Sequence, residues 1–238
     1  MRLDSALVAR SLASSRNRAA RLIDEGRVRV NGVTVTKVSH RVGDDDNVEA
    51  DTERWVSRAA HKLIGALDES GIAVPARVLD AGASTGGFTQ VCLERGAERV
   101  YAVDVGHDQL AASVRSDPRV VVHEGLNLRD LQAQHLDDEP VDLIVGDVSF
   151  ISLRLLLEPM LAVCAGTALL LVKPQFEVGR NKLGKGGVVT DERDREWAVE
   201  QVLAAAQCHG WGPTWRGTSC LPGSHGNVEF FVALRREG

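Results

Sequence analysis

Cysteine is scarce and scattered. Cys92, Cys164, Cys208 and Cys220 lie far apart, with no C-x-x-C pair among them. That spacing offers neither a disulfide framework nor a zinc site, so no metal and a reducing, cytoplasmic setting are expected. Long apolar runs are missing as well. Stretches such as Ala168 to Val172 fall far short of the roughly 20 residues that cross a bilayer. Met1-Arg2-Leu3-Asp4 carries no apolar core of the kind a signal peptide needs, so no membrane association is expected. The dinucleotide fingerprint G-x-G-x-x-G is also absent, because Gly82-Ala83-Ser84 has no second glycine at the required place.

What is present describes an ordinary globular protein: 238 residues, 44% hydrophobic and 26% charged, enough for a large and a small domain. Charge is distributed unevenly. Residues 1–43 hold nine Lys or Arg against three Asp or Glu, whereas the remainder holds 19 basic against 30 acidic side chains. A small basic module before an acidic body suits a nucleic-acid-gripping appendage; a merely solvated charged surface is the alternative.

The body is organised around R-V-L-D-A-G-A-S-T-G-G-F-T, residues 77–89. An apolar run enters Asp80, a loop follows with Gly82, Gly86 and Gly87, and helix-like sequence comes next. Strand, glycine loop and helix open a doubly wound α/β unit, with a ligand at the carboxyl end of the strand. Val100 to Val103 then ends in Asp104, roughly twenty residues beyond the loop, where a carboxylate can accept from ribose hydroxyls. An adenosine ligand without a pyrophosphate fits both observations, and S-adenosylmethionine is the expected one. A plain strand-to-helix turn is the alternative.

Alternation continues with helix-like Asp108 to Arg115, strand Val120 to Val122, and V-D-L-I-V-G-D ending in Asp147. Helix Leu153 to Ala162, strand A-L-L-L-V-K-P ending in Lys173-Pro174, helix Glu196 to His209 and strands near 215–219 and 228–234 complete it. The order predicts a largely parallel sheet. Asp80, Asp104, Asp147 and Lys173 then gather on its carboxyl edge. Upstream, a helix over 56–70 turns Leu63, Ile64 and Leu67 inward and leaves Lys62 beside them at a cleft rim.

At the amino end, Leu3, Leu7 and Leu12 have near-helical spacing. Ser14 or Ser15 caps R-N-R-A-A-R-L-I-D-E, which stops at Gly26, and R-V-R-V-N-G-V-T-V reads as a hairpin about Asn31-Gly32. With R-L-D near the start, S-R-N-R-A-A-R-L-I and G-R-V-R-V-N-G, residues 2–50 resemble the S4 RNA-binding domain, and K-V-S-H-R-V-G-D-D-D fits its closing strand. The resemblance implies that the second helix and the hairpin face RNA. Arg16, Arg18, Arg21 and Lys37 are then phosphate contacts, and Asn17 helps position the backbone. Such contacts give affinity rather than sequence choice.

R-x-A-H-K-L, D-A-G-A-S-T-G-G-F-T, G-D-V-S-F-I-S-L, L-V-K-P-Q-F-E and G-N-V-E-F-F resemble the FtsJ/RrmJ class of ribose 2′-O-methyltransferases. With the S4-like front, the whole chain is similar to the TlyA, or hemolysin A-like, ribosomal RNA methyltransferases. The expected fold is therefore a Rossmann-like, mostly parallel α/β methyltransferase body over residues 58–238. An α+β S4 domain (1–51) and a linker (52–57) would precede it. Trp55 in the linker is either interface core or a hinge anchor.

The resemblance implies a catalytic set of Lys62, Asp147, Lys173 and Glu229. It places Gly82, Ala83, Ser84, Gly86, Gly87, Phe88 and Asp147 around the methionine portion of S-adenosylmethionine. Asp104 falls at the ribose, and Asn127 or Leu128 at the adenine. Asp80 either touches the cofactor or stabilises the glycine turn. Lys173 either stabilises charge on the 2′-oxygen or accepts its proton. Arg58 and the loop cations Arg180, Lys182 and Lys185 are further expected RNA contacts, the loop being either a closing lid or simply disordered. The implied partner is ribosomal RNA in ribosomal subunits, with cytidine as the target. Two other readings remain at this point, a non-catalytic ribosome assembly factor and a membrane-active hemolysin.

Overall fold

The computed structural model describes residues 1–13, 15–51 and 54–237; Ser14, one of the two expected caps, and Thr52 and Glu53 of the expected linker lie outside them. The chain divides into two compact units, Met1–Arg54 and Trp55–Gly238.

In the smaller unit, α1 (Leu3–Ala9) and α2 (Arg16–Asp24) pack over a three-stranded sheet ordered β2-β1-β3, with β1 at Val28–Val30, β2 at Val33–Thr34 and β3 at Val48–Ala50. Ser15 caps α2 by accepting from the Arg18 amide at 3.2 Å, which satisfies an otherwise orphaned donor. Asn31 and Gly32 both take positive φ, 51° and 80°, as a two-residue hairpin of this twist requires. Leu3, Leu7, Leu22, Ile23 and Val28 form a closed core.

The expected closing strand comes later than its sequence suggested. Residues 43–46 are instead a turn: the Asp46 carboxylate accepts from the Gly43 amide at 2.7 Å, and Arg10 donates to the carbonyls of Asp46 and Gly43. Extended pairing with β1 begins only at Val48.

The larger unit holds a seven-stranded sheet in the order β6-β5-β4-β7-β8-β10-β9. Its strands are β4 (Arg77–Ala81), β5 (Arg99–Asp104), β6 (Val120–Glu124), β7 (Val141–Gly146), β8 (Cys164–Val172), β9 (Trp211–Thr218) and β10 (Phe230–Arg236). β6, β5, β4, β7 and β8 run parallel, whereas β10 pairs antiparallel with both β8 and β9. The parallel strands read as near-continuous apolar runs because helices cover both faces. Leu79, Val103, Ile144 and Leu170 fill one face and Val78, Val145, Leu169 and Leu171 the other. Each such fully buried side chain contributes about 1.5–3 kcal/mol.

The helices are α3 (Ala59–Ser70), α4 (Gly87–Glu94), α5 (Ala112–Arg115), α6 (Leu157–Ala162), α7 (Pro174–Glu177) and α8 (Glu192–Cys208). Three departures from the sequence reading have local causes. The helix expected from Asp108 begins only at Ala112, because Asp108 takes φ 54° and the Glu124 carboxylate captures the amides of Gln109 and Leu110. The helix expected from Leu153 is a 3-10 turn (Leu153–Leu155) followed by α6, with Pro159 confined to the first turn where its missing N–H has no intrahelical acceptor to lose. The helix expected from Glu196 starts at Glu192, where Asp191 accepts from the Arg193 amide at 2.8 Å.

Candidate active site

β4 delivers the chain into the glycine loop, and the loop is shaped by contacts that leave no room for side chains. Gly82 takes φ 85°, and a Cβ there would lie 3.0 Å from the Asp147 carbonyl oxygen. Gly86 takes φ 93° as the residue preceding α4, and a Cβ on it would strike Leu110 and Val114. Asp104, at the end of β5, ties the loop down: its carboxylate accepts from the amides of Ser84 and Gly106, each at 2.8 Å. The loop's shape is thus set by a carboxylate from the neighbouring strand.

Two adjoining cavities open on this edge of the sheet and share Gly82, Ser84, Asp147 and Ser149 in their walls. The larger, about 480 Å³, runs past Asp104, Gly106 and Gln109 to Leu126, Asn127, Leu128, Val148 and Ile151. The smaller, about 230 Å³, is lined by Ala83, Gly87, Phe88, Ser57, Lys62, Lys173 and Glu229. Together they fall within the roughly 300–1,000 Å³ of small-molecule sites. The larger offers mostly apolar walls with the carboxylates of Asp104 and Asp147, and the smaller is polar. That division suits an adenosine and an amino-acid chain respectively.

Two ion pairs occupy the smaller cavity. Lys62 of α3 donates to Glu229 at 2.6 Å, across 167 residues of sequence. The Glu229 side chain is only 2% exposed, so Lys62 is the charge that makes its burial tolerable. Glu229 is further approached by the Gln175 amide at 3.4 Å. Lys173, just past β8, lies 2.7 Å from Asp147 and donates to Ser149 Oγ at 2.6 Å. The Lys173–Asp147 contact is a charge pair outside hydrogen-bond alignment, so Ser149 sets the direction of one ammonium N–H.

Asp80 lies beneath this surface and lines neither cavity. It is wholly buried, and Thr89 Oγ1 of α4 donates to it at 2.6 Å. Burial, reinforced by the Asp147 and Asp104 charges, pushes its carboxyl up to about 7 against the hydrogen bonds from Thr89. It braces the strand-to-helix turn. Gly86 likewise shapes the loop rather than lining a cavity.

Phe150 was not among the sequence candidates. It is 92% exposed beside Ser149, takes φ 66°, and sits 5.4 Å from the Phe176 ring. A positive φ on a bulky residue costs about 1–3 kcal/mol, and burial of the ring does not offset it. Ser149, Ser57 and Gln109 were also missed. Ser149 and Phe150 stand inside G-D-V-S-F, so their adjacency to Asp147 was the available signal.

The expected RNA contacts fare unevenly. Asn17, Arg21 and Lys37 are exposed on the smaller unit, and Arg18 is half-buried. Arg16 is exposed but engaged, its guanidinium 2.8 Å from Asp4, whose carboxyl Arg2 and Arg16 hold down at about 2. On the larger unit Arg58, Arg180 and Lys185 are exposed. Lys182 is pinned, 2.6 Å from Asp194 and 4.7 Å above the Trp197 ring. The loop that holds it folds as two 3-10 turns, Arg180–Lys182 and Lys185–Gly187. Among the described residues no cluster fits a metal ion, and no helix is long and apolar enough to cross a membrane.

The profile of FtsJ-like methyltransferases matches residues 55–236, and that of the S4 domain matches residues 1–48. The 16S/23S rRNA (cytidine-2′-O)-methyltransferase TlyA of Mycobacterium tuberculosis is 51% identical, over 99% of this chain and 90% of that protein. This chain belongs to the TlyA family. Its body is a methyltransferase, and its front is an S4 domain. Hemolysin A of Brachyspira hyodysenteriae is 39% identical over 98% of each chain. A Streptococcus thermophilus structure solved under the provisional name of a hemolysin superposes with a TM-score of 0.78 at 35% identity, covering 100% of this chain and 88% of that one.

Proposed function

We propose that this TlyA-family chain transfers a methyl group from S-adenosylmethionine to the ribose 2′-hydroxyl of cytidine in ribosomal RNA, with the S4 unit gripping the RNA. The observation that carries the reading is the pairing of Lys173–Asp147 and Lys62–Glu229 in a polar cavity adjoining an apolar, carboxylate-bearing one. The cofactor supplies an electrophilic methyl on a sulfonium. Asp104 receives the ribose diol with the lone pairs that Ser84 and Gly106 leave open. Leu126, Leu128, Val148 and Ile151 flank the adenine, and Gly82, Ala83, Ser84, Gly87 and Phe88 surround the methionine chain.

A ribose hydroxyl is a weak nucleophile, so positioning and stabilisation of negative charge on oxygen do most of the work. Asp147 and Ser149 fix the Lys173 ammonium, which keeps N–H groups for the 2′-oxygen, and the hydroxyl proton passes to solvent water as the methyl is transferred. Lys62, held by Glu229 and lining the same cavity, offers the nucleotide a second cation. Asn17, Arg18, Arg21 and Lys37 meet phosphates on the S4 unit, and Arg58, Arg180 and Lys185 do so on the body.

The test is tritium transfer from labelled S-adenosylmethionine to 30S subunits, 50S subunits, tRNA and naked rRNA, with Lys173→Ala as control. Label on a ribosomal particle that falls by about 10²–10⁴ in the variant is expected. Cofactor binding without label on any substrate would overturn the catalytic reading and favour an assembly factor.

A further inference from the structure

Glu177 is charged, 3% exposed and assigned no part in the chemistry above. It ends α7, a few residues past Lys173, yet its carboxylate is spent wholly on another segment. Ser152 Oγ donates to it at 2.5 Å, the Leu153 amide at 2.7 Å and Arg154 Nε at 3.2 Å. Arg154 also reaches the Glu177 carbonyl at 3.3 Å.

These bonds are the last in a series of rungs between two loops at the carboxyl ends of β7 and β8. Lys173 meets Asp147 and Ser149, Phe176 meets Phe150, and Glu177 meets Ser152, Leu153 and Arg154. Between the first rung and the last lies Phe150, at φ 66° with its ring in solvent. Such a conformation in a bulky residue persists only when its surroundings over-determine it. Ser149 is held on one side through Lys173, and Ser152–Leu153 on the other through Glu177. With both ends fixed, the turn between them has nowhere to relax.

We infer that Glu177 is a positioning residue for methyl transfer: by clamping residues 152–154 it holds the 147–151 loop in the strained form that sets Ser149 against Lys173 and presents Phe150 at the mouth of the cavity. The inference rests on the proposed reaction, and it is a claim about geometry. Glu177 touches neither substrate nor cofactor.

The experiment compares Glu177→Ala and Glu177→Gln in the full chain. Rates are normalised to cofactor-binding sites counted by calorimetric titration, so that loss of folded protein does not register as loss of turnover. Glu177→Ala is expected to lower kcat per site by about a hundredfold, the scale of an ångström-level misplacement of a reacting group. Glutamine keeps an acceptor for the Leu153 amide and a partner for Ser152 but gives up Arg154, so Glu177→Gln is expected to recover part of that loss. A purely structural role predicts a lower melting temperature with wild-type kcat per site, and that result overturns the inference. So does a folded Glu177→Gln no better than alanine. If the wild type labels no RNA, the reaction reading fails separately. The crystal structures of Glu177→Gln and Glu177→Ala then decide: Phe150 leaving positive φ in alanine but not in glutamine supports the clamp, and Phe150 unmoved in both overturns it.

Discussion

Replacing Asp80 with asparagine separates the charge of this buried carboxylate from its shape. Burial holds the folded-state carboxyl at about 7, against 3.8 for an unperturbed aspartate. Between those values the folded chain keeps a proton that the unfolded chain has released. The unfolded state therefore binds fewer protons, and stability falls as pH rises through the window, by about 1.4 kcal/mol per pH unit. The cost is absent below the unfolded value, is complete above the folded one, and totals on the order of 4 kcal/mol. The amide of Asp80→Asn does not titrate. Its carbonyl still accepts from Thr89 Oγ1, and its NH2 replaces Oδ1, which has no hydrogen-bond partner among the described residues. Wild type and Asp80→Asn should thus diverge with pH. Going from about pH 5 to about pH 8, wild type is expected to lose about 3 kcal/mol relative to the variant. Urea melts of both proteins at several pH values, without cofactor, read the difference directly. Parallel stability profiles would refute the reasoning, because an aspartate that titrates normally contributes no such slope.

Lys62→Met should cost about 3–5 kcal/mol by leaving Glu229 buried without its counter-charge, and adding Glu229→Gln should recover much of it; chemical denaturation of the two singles and the double completes the cycle. Asp104→Ala removes the acceptor for two loop amides as well as the proposed ribose contact, so cofactor affinity measured by calorimetry should fall by about 10–100-fold. Charge reversal of Arg21 or Lys37 should weaken RNA binding and make the slope of log affinity against log salt shallower by about 0.9 for each phosphate no longer neutralised, with cofactor affinity unchanged. An unchanged salt slope would remove that residue from the RNA interface.

Much of the architecture was legible because it depends on local patterns. Apolar runs ending in Asp80, Asp104, Asp147 and Lys173 located the parallel strands, and Asn31-Gly32 located the hairpin. The misplaced boundaries came from side chains that reach across the fold. Glu124 takes amides 15 and 14 residues back, and Arg10 takes carbonyls more than thirty residues ahead. Periodicity has no access to such contacts. The site divides the same way. The lysines and acids that pair in the cavity were recognisable from their motifs, and the depth of Asp80 and the capture of Lys182 by Asp194 were not. Whether a charged residue faces a ligand, a neighbour or the core depends on the third dimension. Phe150 escaped notice because an aromatic beside a strand end ordinarily packs inward.

β10 enters the sheet between β8 and β9, and Glu229 immediately precedes it. During synthesis the glycine loop, Asp147 and Lys173 all emerge long before the partner of Lys62 does. A chain interrupted before Glu229 would carry the walls of the larger cavity but neither that carboxylate nor the strand to which β9 pairs. The ribosome that makes this protein belongs to the class of particle proposed as its substrate. Until Glu229 has been made, Lys62 is without the carboxylate that orients it in the finished site.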